Sequence, residues 1–236
     1  GPLALKWNYI PKMLPWIFKY LQSSTKKSMM HTTKYMHQIL DLSLSAYDEI
    51  LSEIDTTNLV DRKGIIYIWT NKNLKSREME IKIRRDLGVK QKLLTKKEVL
   101  ELEPNLNPVF DAGVIYDYAY HARDPKEITK KLFDLFIKLG GKFKKKEVIN
   151  VEQTKYNETQ VKTSSDKFNF EKIVLACGAF SKKLTDQLGE KIPLDTERGY
   201  HVHYKKMDHL LTRPVIFLDR GLQLSLNIKK PLPFRH

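Results

Sequence analysis

The chain has 236 residues, of which 41% are hydrophobic and 10% aromatic, so it can build a core and is not intrinsically disordered. Its 42 Lys and Arg residues outnumber its 28 Asp and Glu residues. The resulting net charge of +14 makes phosphates, acidic lipid headgroups and nucleic acid electrostatically suitable partners. The lysines are spread along the whole chain, which favours a generally basic surface over a dedicated groove.

A single cysteine, Cys177, excludes an internal disulfide and any metal site built from cysteines. No other set of metal ligands is apparent, so we predict no metal site. One cysteine is typical of a reducing compartment. We see no signal peptide and no run of about 18 uncharged apolar residues that would span a bilayer. The sequence therefore predicts a cytoplasmic protein.

The first 21 residues, GPLALKWNYIPKMLPWIFKYL, are rich in Trp, Tyr and Leu. Pro11, Pro15 and three lysines interrupt the segment, so it is not a transmembrane helix. Interleaved aromatic and basic residues suit the headgroup region of a membrane. The same pattern also covers hydrophobic grooves within proteins, and both interpretations stay open.

Periodic apolar residues predict the next elements. Over Ser28–Ile54 they recur every three or four positions, which indicates one amphipathic helix or two in succession. Gly64–Thr70 is typical of a strand, and Asn71 is a candidate N-cap for a helix that Gly88 ends.

Two capping patterns place further helices. Thr95 with Glu98 forms a capping box that opens a short helix ending before Pro104. Asp124 is a good N-cap and Pro125 a good first residue for a helix that a Gly-Gly pair ends.

The region after this helix predicts a strand, a polar hairpin, a second strand and then IVLACGAFSKKL, Ile173–Leu184. The apolar start of the last stretch is typical of a fully buried parallel strand. This order of elements corresponds to half of a doubly wound sheet, in which ligands bind at the carboxyl ends of the strands.

Four small residues lie at the carboxyl end of that predicted strand: Ala176, Cys177, Gly178 and Ala179. With little or no Cβ in the way, a flat ligand or a pyrophosphate can approach the main chain there. Ser181 is placed to cap or open the next helix. The alternative is that Gly178 only permits a tight turn from strand to helix.

IVLACGAFSKKL resembles the strand-Ala-x-Gly-Ala-aromatic-Ser signature of the FAD-dependent D-amino-acid oxidase and dehydrogenase superfamily. Three more stretches agree with the family in order and spacing: YAYHARDPKEITKKL, EVINVE and DTERGYHVHY. The opening segment and RPVIFLDRG also resemble the bacterial D-amino-acid dehydrogenase branch. The ordered set is more specific than any single motif.

The resemblance implies a mixed α/β and α+β fold. It combines an incomplete, doubly wound (Rossmann-like) FAD-binding portion with a substrate domain of mixed β-sheet and helices. Residues 1–120 are expected to belong to the substrate domain, 121–190 to the FAD-binding domain, and 191–236 to the substrate-domain sheet again. After Gly221 the sequence departs from the family and forms an atypical tail.

The resemblance also implies site residues. The main chain of Val148 is expected to contact the adenine of FAD, and Ala176, Cys177, Gly178 and Ala179 to lie along the cofactor.

The expected substrate-binding residues begin the strands that face the flavin ring: Arg198, Gly199, Tyr200 and His201. For Arg198 the alternative is a surface ion pair with a neighbouring acid such as Glu197. Strand alternation places Tyr200 on the face opposite His201 and His203, so not all of them line one pocket.

The implied reaction is hydride transfer from a D-amino acid to flavin, which leaves an imino acid that water converts to a 2-oxo acid and ammonia. No general base is named, because none is needed if the amine arrives neutral. The branch implies a quinone or another electron acceptor, and peripheral contact with the inner face of the bacterial membrane. A related glycine or sarcosine oxidase remains an alternative. A non-catalytic basic module that binds membranes or nucleic acid is a further alternative. The sequence contains no recognised nucleic-acid-binding motif, and we expect no nucleic-acid partner.

The family's nucleotide-binding start, a strand followed by GxGxxG and a helix, is absent from this sequence, as is its closing glycine- and proline-rich segment. The chain therefore resembles the central portion of an enzyme. Without the glycine loop we expect FAD to bind weakly or not at all to this chain alone.

Overall fold

The computed structural model describes residues 10–70, 74–154, 158–194, 196, 199–202, 204 and 210–225. The described α-helices are α1 Ile10–Ser23, α2 Lys26–Leu40, α3 Ser43–Ser52, α4 Leu74–Asp86, α5 Lys96–Leu102, α6 Pro125–Lys138 and α7 Ser181–Gln187. The strands are β1 Val60–Asp61, β2 Ile65–Trp69, β3 Lys92–Thr95, β4 Ala112–Tyr116, β5 His121–Ala122, β6 Val148–Gln153, β7 Thr159–Thr163, β8 Lys167–Phe170, β9 Val215–Phe217 and β10 Leu222–Leu224. One-turn 3-10 helices occupy Gly178–Phe180 and Leu218–Arg220.

The chain divides into two compact units. The first unit comprises residues 1–135 and 205–236, and the second comprises residues 136–204. The described residues form helices together with sheets, and the sheets contain both parallel and antiparallel strand pairs. This architecture confirms the predicted mixed α/β class.

The first unit is built on a five-stranded sheet in the order β10-β9-β2-β4-β3. β2 lies near its centre, antiparallel to β4 and parallel to β9. The predicted strand over 64–70 is confirmed, and side chains of both its faces are buried. Ile66 and Ile68 join one hydrophobic cluster, and Trp69 joins another with Val114 and Tyr116. Burial raises the pKa of the Tyr116 phenol above its ordinary value.

Both predicted helix starts are confirmed. The backbone N–H of Glu98 donates to Thr95 Oγ1 at 3.3 Å, and the N–H of Thr95 donates back to Glu98 Oε2 at 2.8 Å. The hydrogen bonds that the Glu98 carboxylate accepts from the N–H and the hydroxyl of Thr95 hold the pKa of Glu98 below its ordinary value. At α6, the N–H of Glu127 donates to Asp124 Oδ1 at 3.0 Å, and Pro125 is the first helical residue.

A buried carboxylate joins the end of α5 to the segment before β9. Glu103 is 0% exposed. It accepts hydrogen bonds from the Thr212 N–H at 2.8 Å, the Thr212 hydroxyl at 2.5 Å and Arg213 Nε at 3.2 Å. Three donors therefore replace the water that the carboxylate loses on burial.

The region over 28–54 forms the greater part of α2 and all of α3, as the two-helix alternative predicted. Pro15 lies inside α1, so it does not break the segment as we expected. It removes one backbone donor from the helix. Among the described helices, none combines the length and apolarity that a bilayer crossing requires. The candidate N-cap Asn71 lies outside the described residues.

The second unit contains an antiparallel sheet, β6-β7-β8. In the turn between β7 and β8 the N–H of Asp166 donates to Thr163 Oγ1 at 3.0 Å. Hydrogen bonds from Lys146 and Ser165 hold the pKa of Asp166 below its ordinary value.

The predicted buried parallel strand at Ile173–Ala176 is wrong. These residues form no strand, and Val174 is 90% exposed. An apolar run becomes a buried strand only where neighbouring strands supply hydrogen bonds and side chains supply cover. No strand in the described part of the chain pairs with this run.

Candidate functional site

The four small residues lie immediately before α7, where Ala176, Cys177 and Gly178 are exposed and Ala179 is half-buried. Ala176 and Cys177 precede the 3-10 turn at Gly178–Phe180, so Gly178 and Ala179 lie within that turn and do not follow a strand. Gly178 has φ +57°, in the left-handed region that favours glycine, and apart from its two chain neighbours no residue has a heavy atom within 4 Å of the position a Cβ would take. The main chain of the turn is therefore open to a ligand.

Ser181 fixes the geometry of this turn. It is the first residue of α7, as the sequence suggested, and its side chain is buried. Its hydroxyl oxygen accepts a hydrogen bond from the Cys177 N–H at 3.1 Å. The bond closes a loop of five residues and holds the main chain of Cys177 against the start of the helix.

Gln187 joins the other end of α7 to β6. Its side-chain carbonyl accepts from the Val151 N–H at 3.0 Å, and its Nε2 donates to the Ile149 carbonyl at 3.1 Å. The structure thus places α7, and the turn that precedes it, beside the strand that carries Val148. Sequence reasoning missed Gln187, because nothing in its local pattern marks a contact 36 residues away.

Val148 begins β6 and lies opposite Thr163. The register of the ladder shifts between Val148 and Asn150, and a local irregularity of this kind leaves main-chain groups unpaired. Asn150 Oδ1 is buried with no hydrogen-bond partner. The start of β6 therefore carries an unsatisfied acceptor close to the position predicted to meet the adenine.

Gly199, Tyr200 and His201, the predicted substrate-binding residues that the structure describes, do not form the expected strand. Gly199–Val202 has no regular secondary structure, and Tyr200 is 88% exposed. The alternation that separated Tyr200 from His201 therefore does not apply to these residues. Arg198 and His203 lie outside the described residues. The predicted site residues that the structure describes all belong to the second unit.

The residues present fit a flat ligand or one that carries phosphate at the turn over 176–179. Small side chains, an open glycine and the exposed main chain provide access there. A basic helix start follows, because Lys182 and Lys183 lie directly after Ser181.

Comparison with known proteins gives a match over most of the chain. Residues 14–225 match the model of the DAO family, described as FAD dependent oxidoreductase. The D-amino-acid oxidase of Bradyrhizobium diazoefficiens is 29% identical over 203 residues, which cover 86% of this chain and 48% of that protein. The D-amino acid dehydrogenase of Vibrio atlanticus is 21% identical over 225 residues, 94% of this chain and 52% of that protein. The chain thus spans about half the length of the curated relatives it matches.

Solved structures give the same fold. L-proline dehydrogenase from P. horikoshii superposes with a TM-score of 0.64 at 20% identity, covering 80% of this chain and 52% of that one. Glycine oxidase from Bacillus cereus gives a TM-score of 0.62 at 22% identity, covering 81% and 54%.

Proposed function

The chain belongs to the DAO family of FAD dependent oxidoreductases, and from this premise we propose that it serves the oxidation of D-amino acids. The family and its cofactor, FAD, are as the sequence predicted. The observation that carries the choice of substrate is the 203-residue match to a D-amino-acid oxidase at 29% identity.

The proposed overall reaction converts a D-amino acid and water to a 2-oxo acid and ammonia. FAD, when bound, accepts the α-hydrogen together with two electrons. The substrate then carries a C=N bond, which water hydrolyses. A quinone or another acceptor takes the two electrons in the dehydrogenase form of the reaction. None of the described side chains is assigned as a general base.

Five residues are proposed to lie along the cofactor: Val148, Ala176, Cys177, Gly178 and Ala179. Supporting this proposal, the small residues leave the main chain accessible, Ser181 holds the turn against the start of α7, and Gln187 holds α7 beside β6. These residues position the turn and do not themselves take part in the chemistry. The assignment of residues 121–190 to the cofactor domain, and of residues 1–120 and 191–236 to the substrate domain, stays a prediction.

Four residues are proposed to contact the substrate: Arg198, Gly199, Tyr200 and His201. A guanidinium group suits a carboxylate because its planar fork donates two parallel hydrogen bonds. Arg198 therefore carries the chemistry that an amino-acid substrate requires, whereas a partner such as Glu197 would make it structural.

Because FAD is expected to bind this chain only weakly, the substrate proposal is tested by offering D-amino acids, L-amino acids, glycine and sarcosine to the protein in a solution that holds FAD at saturating concentration. We expect D-amino acids to bleach the flavin absorbance anaerobically and to yield a 2-oxo acid and ammonia. Reaction with L-amino acids alone would refute the proposal. Reaction with glycine or sarcosine alone would favour the related amine oxidase activity.

The proposed placement of FAD at the turn over 176–179 is tested with Gly178→Leu, and Gly189→Leu provides a matched control. Gly189 follows the other end of α7, has φ +81° and, apart from its two chain neighbours, also has no residue with a heavy atom within 4 Å of a Cβ position. Each substitution therefore places a leucine at a left-handed φ, with similar backbone strain, and the new side chain meets no neighbouring residue. We expect only Gly178→Leu to weaken FAD binding, by about tenfold or more. Equal weakening by both variants would refute the placement of FAD at this turn.

A further inference from the structure

One buried acceptor of the second unit has no partner. Among the described residues, four buried side-chain polar atoms make no hydrogen bond. Three of them are nitrogen donors of the first unit, and the fourth is Asn150 Oδ1 in β6. An acceptor that loses water without gaining a donor costs free energy, so an unpaired one in a folded protein requires an explanation.

The main chain on both sides of Asn150 is held by one side chain. Gln187 of α7 accepts from the Val151 N–H at 3.0 Å and donates to the Ile149 carbonyl at 3.1 Å. The register shift between Val148 and Asn150 lies directly before this point, and such bulges re-aim side chains next to binding sites. The base of the Asn150 side chain is therefore fixed, as a recognition group requires.

The neighbouring side chains do not supply the missing donor. Lys162 lies opposite Asn150 on β7, and its ammonium group pairs with Glu152 at 2.7 Å. Val148 and Ile149, directly before Asn150, are exposed and apolar. A single polar acceptor beside exposed apolar side chains is typical of a site for a flat ring that carries a donor.

Adenine combines these two features. Its exocyclic amino group, N6, is a donor and its ring nitrogen N7 is an acceptor, and an asparagine amide matches this pair with two hydrogen bonds. We propose that the Asn150 side chain recognises the adenine of FAD, with Oδ1 accepting from N6 and Nδ2 donating to N7. This contact is additional to the main-chain contact predicted for Val148. The inference rests on the proposed placement of FAD along Val148 and the turn over 176–179.

The test compares FAD with its analogue that carries hypoxanthine in place of adenine. A keto oxygen replaces the amino group in this analogue, so Asn150 Oδ1 would meet an acceptor instead of a donor. Titration of the full chain with each dinucleotide up to saturation, followed by flavin fluorescence anisotropy, gives two dissociation constants. We expect FAD to bind about tenfold or more tightly than the analogue. The comparison uses the unsubstituted protein, so it does not depend on how a variant folds.

Asn150→Leu is expected to remove this preference, because leucine has a similar size and no amide. Since the change also removes an unsatisfied buried acceptor, we expect the urea midpoint measured by circular dichroism not to fall. Asn169→Leu is the matched control. Asn169 lies on β8 of the same sheet, and its Oδ1 already accepts from Gln160 Nε2 at 3.0 Å. We expect this control to keep the preference for FAD.

Three results would overturn the proposal. Equal affinity of the unsubstituted protein for both dinucleotides would refute adenine recognition by Asn150 while leaving the cofactor placement intact. A lower urea midpoint for Asn150→Leu, with the preference for FAD retained, would assign the amide a structural role such as holding a buried water. Binding of neither dinucleotide would refute this inference together with the cofactor placement on which it rests.

Discussion

Removing the buried carboxylate of Glu103 is expected to destabilise the first unit strongly. The change Glu103→Ala deletes the acceptor of three hydrogen bonds, two from Thr212 and one from Arg213. It also leaves the mostly buried Arg213 guanidinium without its carboxylate partner. The connection between the end of α5 and the segment before β9 is lost at the same time.

The magnitude follows from burial. Deleting one partner of a buried ion pair typically costs about 3 to 5 kcal/mol, because the remaining group stays desolvated without compensation. Arg213 retains two bonds, from its Nη1 to the Lys63 carbonyl at 2.9 Å and from its Nε to Thr212 Oγ1 at 3.3 Å, which limit the loss. We therefore expect Glu103→Ala to cost about 3 kcal/mol, at the lower end of that range. Glu103→Gln keeps an acceptor for Thr212 and is expected to cost less.

Urea unfolding followed by tryptophan fluorescence measures this cost. All three tryptophans fall within residues 1–135, so the signal reports on the first unit. Glu101→Ala is the control, because Glu101 lies on the same helix and its ion pair with Lys97, at 3.8 Å, is well exposed. That change is expected to cost less than about 1 kcal/mol. If the two alanine variants unfold at the same urea concentration, the Glu103 network does not stabilise the unit.

Three further changes have defined outcomes. Thr95→Ala removes the capping box and should lower the free energy of unfolding by about 1 kcal/mol, and an unchanged urea midpoint would contradict this. Gln187→Ala should cost about 1 to 2 kcal/mol and speed hydrogen exchange at the Val151 amide, because both bonds between α7 and β6 are lost. Since burial raises the pKa of Tyr116 above its ordinary value of 10.0, its contribution to stability is complete below that pH and is lost as the pH rises through the folded-state pKa. In alkaline urea titrations Tyr116→Phe should therefore lose stability less steeply than the unsubstituted protein, and identical pH profiles would contradict that.

Helix starts and the central strand could be predicted from sequence because their causes are local. The bonds between Thr95 and Glu98 join residues three apart, and so does the bond from Glu127 to Asp124. The residues that make these bonds lie within one turn, so the sequence nearly determines them. The apolar run at 65–69 was also interpreted correctly, because β4 and β9 are present to pair with it on both sides.

The run at Ile173–Ala176 has equally strong apolar character but does not form a strand. The difference lies in the neighbours and not in the run itself. A strand obtains its hydrogen bonds from other segments, and no described strand lies alongside these residues. The expectation for Gly199–Val202 failed for a similar reason, since a pattern of alternating residues specifies faces only once a sheet exists.

The same reasoning explains which parts of the candidate site the sequence revealed. The small residues at 176–179 were visible because their effect, access to the main chain, depends only on the missing side chains. Gln187 and Glu103 were not visible, because each acts on donors that are distant in the chain, at separations of 36 and 109 residues. Access is thus encoded locally, whereas the bonds that hold the accessible turn in place are encoded by the fold. A substitution at Gln187 should therefore displace the turn without changing any residue proposed to contact the cofactor.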